Sequence, residues 1–412
     1  MTRSAVRVRW IGMAAAVLTL LVAAGCGGSQ VSTSSTVGDR GAERPDVSAS
    51  DERGGTRSPA TRTASAGRTA AGHDRILFQS IAPGGGDTLY TMRQNGSGVQ
   101  QLPLEVPGSA ISPDWSPDGK RITFTVQASD TQSIWTARAD GKNARELFHC
   151  AGECLGTDYP AWSPDGRSIA FTYAKSPPTS AGPPSATSIR IIDLQSHDVR
   201  VIARGTFPSL IDFARWSPGG GRLVVQRDRF SPSGDETGCR IEIVRVRDGH
   251  IRPLTSYERF GFHPDWSATG KLLTFDTYDL LAYGDSAPGP SNLFTIRPDG
   301  SRLRQLTHFE LRGNRVSAAT FAPDGAGITF TYQVNGRRAA GTISERGGAI
   351  RTVPAEYGGP VTHPRLSPPS SSSVPARRPG PVPDARPDDR LDRVHGGVMT
   401  GSAIRSAHEE RP

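Results

Sequence analysis

Lysine is nearly missing from this 412-residue chain: 4 of its 48 basic residues are Lys and the rest are Arg, a bias that says little about function. Long apolar runs are missing too. The longest, from Ile11 to Ala24, is short for a bilayer span and fits the core of an export signal. No Gly-x-Ser-x-Gly occurs, which argues against the serine nucleophile elbow of α/β-hydrolases. Aromatics are almost absent from residues 27–73 and 368–412, where Ser, Gly, Pro, Arg and Asp dominate. Such segments cannot bury enough apolar surface to offset the entropy of ordering, so both are expected to be disordered. One continuous core is expected between about residues 76 and 367, which hold five of the six Trp.

The formal charge of +8 invites a nucleic-acid reading, but its distribution does not sustain one. Arg3, Arg7 and Arg9 supply +3, and the two polar flanks each carry seven Arg against six acids, leaving about +3 for the central region. No basic stripe with interleaved aromatics emerges, so no nucleic-acid partner is expected.

The N-terminus runs from a basic segment through the apolar stretch to Ala23-Ala24-Gly25-Cys26. Small residues directly before a Cys resemble the bacterial lipobox, with Ala23 where Leu is commonest. The resemblance implies a lipoprotein signal peptide over 1–25 and a diacylated Cys26 as the first mature residue. Two acyl chains suffice for stable anchoring to the extracytoplasmic face of the cell membrane. A plain secretory signal with a chance Cys is the alternative. Residues 26–73 would then form a linker and 369–412 a tail.

A repeat organises what lies between, over residues 74–368. Trp115-Ser-Pro-Asp-Gly119, Trp162-Ser-Pro-Asp-Gly166, Trp216-Ser-Pro-Gly-Gly220, Trp266-Ser-Ala-Thr-Gly270 and Phe321-Ala-Pro-Asp-Gly325 recur at nearly even spacing, a period typical of propeller blades. Seven and nine positions after each aromatic stand apolar pairs, from Ile122/Phe124 to Ile328/Phe330, whose spacing of two places both on one face of a strand. Asp-Gly supplies the positive φ of a tight hairpin turn. Third and fourth strands follow in most repeats, joined at Asp140-Gly141, Asp248-Gly249 and Asp299-Gly300. Four short strands in about 50 residues make one propeller blade. Ile76–Leu102 offers only three strands, and Thr362-His-Pro-Arg-Leu-Ser-Pro368 mimics Phe262-His-Pro-Asp-Trp-Ser-Ala268. That last strand is expected to complete the first blade and close an all-β, six-bladed β-propeller.

The (His/Tyr/Ser)-Pro-x-Trp-Ser-Pro-Asp-Gly-(Lys/Arg)-x-Ile-x-Phe pattern is similar to the repeat of TolB-like six-bladed propellers and covers most of the chain. In place of the α-helical N-terminal domain of TolB, the anchor and linker are expected here. Propellers resembling this one also precede the hydrolase domain of prolyl oligopeptidases, for which no corresponding segment is found. In pectate-degrading lyases that resemble the repeat, channel histidines bind a divalent metal. For His263 and His363, each three residues before the aromatic position, structural hydrogen bonding imposed by the repeat is the expected role, with ligation of a channel metal as the alternative, and no metal site is expected. In His149-Cys150-Ala-Gly-Glu-Cys154, a Cys150–Cys154 disulfide is expected in an exported protein, with a metal held by His149, Cys150 and Cys154 as the alternative. Cys239 is left over and reads as buried. No cofactor is implied. The expected role is a membrane-anchored scaffold that binds an envelope protein or small ligand at the propeller mouth, the alternative being a metal-dependent lyase or hydrolase acting on envelope carbohydrate. The insertions Ser176–Ser188, Phe230–Gly238 and Tyr278–Pro290 are expected to be the variable recognition loops.

Overall fold

A computed structural model of the chain describes residues 75–129, 131–177, 183–278, 290–310, 314–325, 327–334, 337–353 and 359–368. The expected export signal, Cys26 and the expected linker and tail lie outside the described residues, as do 178–182 and 279–289 within two of the expected loops. Apart from one 3₁₀ turn at Tyr257–Arg259, the regular structure among the described residues is all strand, and no helix there is long and apolar enough to cross a membrane.

Among the described residues, twenty-four strands follow the repeat, numbered in chain order. The first repeat unit contributes β1 (Arg75–Ile81), β2 (Asp87–Arg93) and β3 (Gln100–Gln101). The second holds β4 (Ser109–Trp115), β5 (Arg121–Gln127), β6 (Gln132–Arg138) and β7 (Arg145–Phe148). The third holds β8 (Cys154–Trp162), β9 (Ser168–Lys175), β10 (Ala186–Asp193) and β11 (Val199–Thr206). The fourth holds β12 (Ser209–Trp216), β13 (Arg222–Phe230), β14 (Glu236–Arg245) and β15 (Ile251–Pro253). The fifth holds β16 (Gly261–Trp266), β17 (Leu273–Tyr278), β18 (Ser291–Ile296) and β19 (Arg304–Gln305). The sixth holds β20 (Arg315–Phe321), β21 (Ile328–Val334), β22 (Arg337–Ile343) and β23 (Arg351–Val353), and β24 (Thr362–Leu366) ends the series.

All pairings are antiparallel, in four four-stranded sheets and one of eight strands. The third and fourth units share the large sheet through a single pairing, Thr206↔Ser209, between β11 and β12. The sheets form a β-propeller, with β4, β8, β12, β16, β20 and β24 innermost and each in contact with the next.

The turn chemistry explains the hairpins. In the second unit the Ser116 hydroxyl donates to Asp118 Oδ1 at 2.6 Å, Lys120 N donates to the same oxygen at 3.1 Å, and Gly119 takes φ 66°. Ser163 and Asp165 repeat the contact at 2.6 Å. On the outer rim Gly249 has φ 71°, and a Cβ there would lie 2.4 Å from the Ile202 carbonyl oxygen, so the fourth unit's last turn can approach its neighbour only as glycine. The outermost strands are shorter than the sequence suggests: β3 and β19 keep two residues each, because the exposed rim offers little burial to extend them. The expected loop Phe230–Gly238 is a correction. Pairing of Phe230 with Glu236 and Arg229 with Gly238 extends β13 and β14 through it, leaving a tight turn bonded through Ser231, Ser233 and Asp235. β10 likewise begins at Ala186, inside the expected loop Ser176–Ser188.

Burial is concentrated between sheets. Ile76/Phe78, Ile122/Phe124, Ile169/Phe171, Leu223/Val225, Leu273/Phe275 and Ile328/Phe330 are fully buried or nearly so. Each of six apolar clusters joins one unit to the next. The cluster of Ile76, Phe78, Tyr90, Met92, Ala340, Val353 and Val361 joins the sixth unit to the first. There β24 pairs with β1 through Ile76↔Leu366, Leu77↔Arg365 and Gln79↔Thr362, and Trp115 Nε1 donates to the Arg365 carbonyl at 3.1 Å.

A chain ending at Gly359 loses β24, the burial of Val361 and one of the two strands that pair with β1, whereas one ending at Ser370 loses none of these. At about 1.5–3 kcal/mol per buried side chain, the shorter chain is expected to melt about 10 °C or more below the longer one. Thermal melts of the two chains check this; coincident curves would show that β24 does not close the sheet.

Candidate functional site

Every inner strand carries the same irregularity. Its register shifts by a bulge, and one non-glycine residue there adopts the left-handed conformation: Ser112, Tyr159, Phe213, His263, Ala318 and His363, with φ between 48° and 53°. Pro follows four of them, at Pro113, Pro160, Pro264 and Pro364, and Pro inside a strand is confined to bulges or edges because it has no N–H to pair. A left-handed residue other than Gly costs about 1–2 kcal/mol. Side chains of the preceding unit offset this cost by accepting the bulge N–H. Gln79 Oε1 accepts from Ser112 at 3.3 Å, Thr172 Oγ1 from Phe213 at 3.2 Å, Gln226 Oε1 from His263 at 3.2 Å and Thr331 Oγ1 from His363 at 3.2 Å. Asp276 accepts from the Ala318 N–H. At the remaining junction Thr125 donates to Asp158 Oδ1 at 2.9 Å, and that oxygen accepts from Tyr159 N at 2.7 Å. All six side chains occupy one repeat position, the residue after Phe78, Phe124, Phe171, Val225, Phe275 or Phe330.

The two histidines singled out in the sequence are thus bulge residues. Their rings meet with centroids 6.4 Å apart, beside Phe213, which lies 5.0 Å from His263, and Tyr159, which lies 4.7 Å from Phe213. His263 Nδ1 is 3.0 and 3.2 Å from the Asp276 carboxylate oxygens. The His363 Nδ1 is buried without a hydrogen-bond partner, and burial, followed by the neighbouring His263 and the arginines, pushes its pKa down to about 3. Among the described residues the group of three ligand atoms close enough to share a metal is Asp228, Glu236 and Cys239, and it includes neither histidine. Cys150 and Cys154 are joined in a disulfide with Cα atoms 5.3 Å apart, which removes both thiolates from the alternative metal set. His149 instead meets Glu146 Oε1 at 2.9 Å.

Two residues beyond the bulge, the inner strands present Asp114, Ala161, Arg215, Asp265, Thr320 and Arg365 to a cavity of about 350 Å³ at one mouth of the channel. Trp115, Trp162, Trp216 and Phe321 share its lining. Asp114 Oδ2 accepts from Trp162 N and Asp265 Oδ2 from Phe321 N, both at 2.9 Å, so each aspartate ties its unit to the next. Arg215 Nη1 donates to the Ala214 carbonyl at 3.1 Å and the Pro160 carbonyl at 3.5 Å, and its guanidinium lies 4.6 Å from the Phe213 ring centroid. Burial, with Arg365 nearby, lowers its pKa to about 10. None of these four charged residues stands out in the sequence as a candidate for binding. The available signal was their shared position directly before the repeated aromatic, where charge is not needed for the strand.

A second buried polar group sits in the fourth unit: Asp212 on β12, Asp228 on β13, and Glu236 and Cys239 on β14. Cys239 is fully buried, as its sequence context suggested, with its thiol 2.8 Å from the Gly261 carbonyl oxygen. The nearby cations are committed elsewhere, since Glu242 takes both Arg227 at 2.7 Å and Arg240 at 2.6 Å. Burial, reinforced by neighbouring acids, therefore holds Asp212 and Glu236 well above the ordinary carboxylate range. Burial also raises Asp228, against the opposing pull of its hydrogen bonds.

No protein-family profile matches the sequence, and comparison with curated proteins finds no match. Comparison with solved structures finds propellers. TolB from Acinetobacter baumannii superposes with a TM-score of 0.54 at 20% identity, covering 72% of this chain and 67% of that one. A chain of the Kuenenia stuttgartiensis hydrazine synthase gives 0.54 at 14%, covering 72% of this chain and 47% of that one. A chain of a nidogen/laminin complex gives 0.50 at 12%, covering 71% and 98%. The fold is therefore a β-propeller similar to that of TolB, and identities this low establish the fold alone.

The acid cluster has a pH signature. A carboxyl whose folded pKa lies above its ordinary 3.8 favours folding in its protonated form. Its contribution is fully present below 3.8 and is lost as pH rises through the raised folded value. Asp212→Asn, neutral throughout, is expected to raise the melting temperature at pH 7.5 by a few degrees, at about 2–4 °C per kcal/mol. The gain should vanish below the ordinary carboxylate pKa. A melting series against pH checks the sign; destabilisation at neutral pH would mean that the ionised carboxylate is needed.

Proposed function

We propose that this chain is a six-bladed propeller, each repeat unit forming one blade, held by a lipid at Cys26 on the extracytoplasmic face of a bacterial membrane. There it serves as a binding scaffold that takes an envelope protein or small ligand at the channel mouth. The observation that carries the reading is the mouth cavity, lined from all six units by Trp and Phe rings and by two Arg and two Asp side chains. Ligand sites combine apolar walls with a few convergent polar groups in this way. Two further features support it. The bulge polar groups are spent on holding the units together, and among the described residues the group of ligand atoms close enough to share a metal includes neither His263 nor His363. The basic, apolar and small-residue order before Cys26 supports the anchor.

Cross-linking in cells tests the reading. A photo-reactive residue at Pro164, on the mouth, is expected to capture a partner or ligand adduct, whereas one at Leu303, exposed on an outer rim, is not. Cys26→Ala should move the protein from the membrane to the soluble fraction or stall its processing. Capture from Leu303 alone, or membrane retention of the Cys26 variant, would contradict the corresponding half of the proposal. Stoichiometric divalent metal lost on His263→Ala would favour the metal-dependent lyase or hydrolase instead.

A further inference from the structure

The mouth contains an electrostatic anomaly. Arg215 and Arg365 are 4% and 6% exposed, and the Nε of each is buried without a hydrogen-bond partner while its side chain lines the cavity. A buried guanidinium is tolerated when paired and costly when it is not. The aspartates beside them do not complete the pairing. Asp114 and Asp265 each give Oδ2 to a backbone N–H of the next unit, and the ion pair present is Arg365 Nε to Asp114 Oδ1 at 4.0 Å, long for a charged hydrogen bond. The charges are also ordered. Passing from unit to unit, the ring reads Arg365, Asp114, Ala161 and then Arg215, Asp265, Thr320. The two guanidinium groups therefore stand three units apart, on opposite sides of the mouth, with the aspartates on a second diagonal and Ala161 and Thr320 on the third.

We propose that the mouth is a site for a small organic carboxylate, whose two oxygens bridge Arg215 and Arg365 while its apolar body lies against Trp115, Trp162 and Trp216. This deepens the binding role proposed above and rests on it. The forked guanidinium matches the two oxygens of a carboxylate, and Arg215 and Arg365, whose side chains line the cavity, are the donors that such a group would meet there. Charge selects among anions. Two Arg and two Asp leave the ring formally neutral, so a monoanion is accommodated while the second charge of a phosphate meets Asp114 and Asp265. Size selects too: about 350 Å³ is at the small end of ligand pockets, fitting a small molecule better than a folded partner's surface.

Three of the lining residues are tryptophans, so intrinsic fluorescence of the full-length protein reports occupancy directly. The probes are acetate, benzoate and phenylacetate, their neutral amides benzamide and phenylacetamide, and inorganic phosphate. Benzoate and phenylacetate are expected to change the emission saturably, with the amides and phosphate at least about tenfold weaker. Arg365→Gln and Arg215→Gln should each weaken the carboxylates by about tenfold or more and leave amide binding unchanged. If either variant fails to fold, the acid-against-amide comparison on the unaltered protein still decides. Equal responses to acid and amide, tighter binding of phosphate, or no saturable response to any carboxylate into the millimolar range would overturn the proposal. If the carboxylates fail while the Pro164 cross-link persists, the carboxylate assignment falls and the scaffold reading stands. If both fail, the mouth is not a binding face.

Discussion

A hydrogen bond from a left-handed backbone N–H to a side chain of the preceding unit is the interaction on which this propeller depends. It occurs at five of the six junctions, from Gln79 with Ser112 to Thr331 with His363; at the sixth the Tyr159 N–H is taken by Asp158, to which Thr125 of the preceding unit donates in turn. Without an acceptor, each bulge would combine about 1–2 kcal/mol of backbone strain with a buried, unpaired N–H costing about 1–3 kcal/mol more. With it, the bulge becomes a fixed point against which the next sheet is set. The apolar seams supply the bulk of the association, but they are non-directional. The bonds to the bulges supply register, and the last of them, together with β24 on β1, makes the series circular.

This constraint also sorts polar residues into those that build and those that remain for binding. The side chains after the buried Phe or Val positions are consumed by closure, as are Asp276 beside His263 and one oxygen each of Asp114 and Asp265. Arg215 and Arg365 are different: they lie in the same inner strands, buried and facing the mouth, with donor capacity left over. A rigid ring that holds two such groups across an opening is a suitable scaffold for recognition, because little ordering is required of it when a ligand arrives.

Much of the fold was legible in the sequence because turn chemistry and strand period are local. Trp-Ser-Pro-Asp-Gly states its hairpin through the Ser116–Asp118 contact and Gly119, and the pairs two residues apart state their buried face. Even closure could be read, since Thr362–Pro368 repeats the surroundings of His263. The Phe230–Gly238 stretch misled because its Ser, Pro and Gly content suits a loop, while pairing to β14 was decided by the partner strand. The histidines stand where the repeat imposes structural hydrogen bonding, but the bulge itself was not legible: the position demands a backbone N–H that can be bonded, whichever side chain it bears. Arg215 and Arg365 went unread because they lie far apart along the chain and become neighbours of one cavity only when the ring closes. The acid cluster on β12, β13 and β14 was hidden likewise, its members being ordinary charged residues until burial raises their pKa values.

Native-state hydrogen exchange at six backbone amides tests the central claim most directly: Ser112, Tyr159, Phe213, His263, Ala318 and His363. If the hydrogen bonds at the bulges, five direct and one relayed through Asp158, hold the ring, all six should exchange only through global unfolding and share one opening free energy. His363 should be as protected as Phe213 despite its place in the last strand. Exchange at His363 or Ser112 as fast as at an exposed turn, with the others still protected, would contradict the account by showing the ring open between its first and last units.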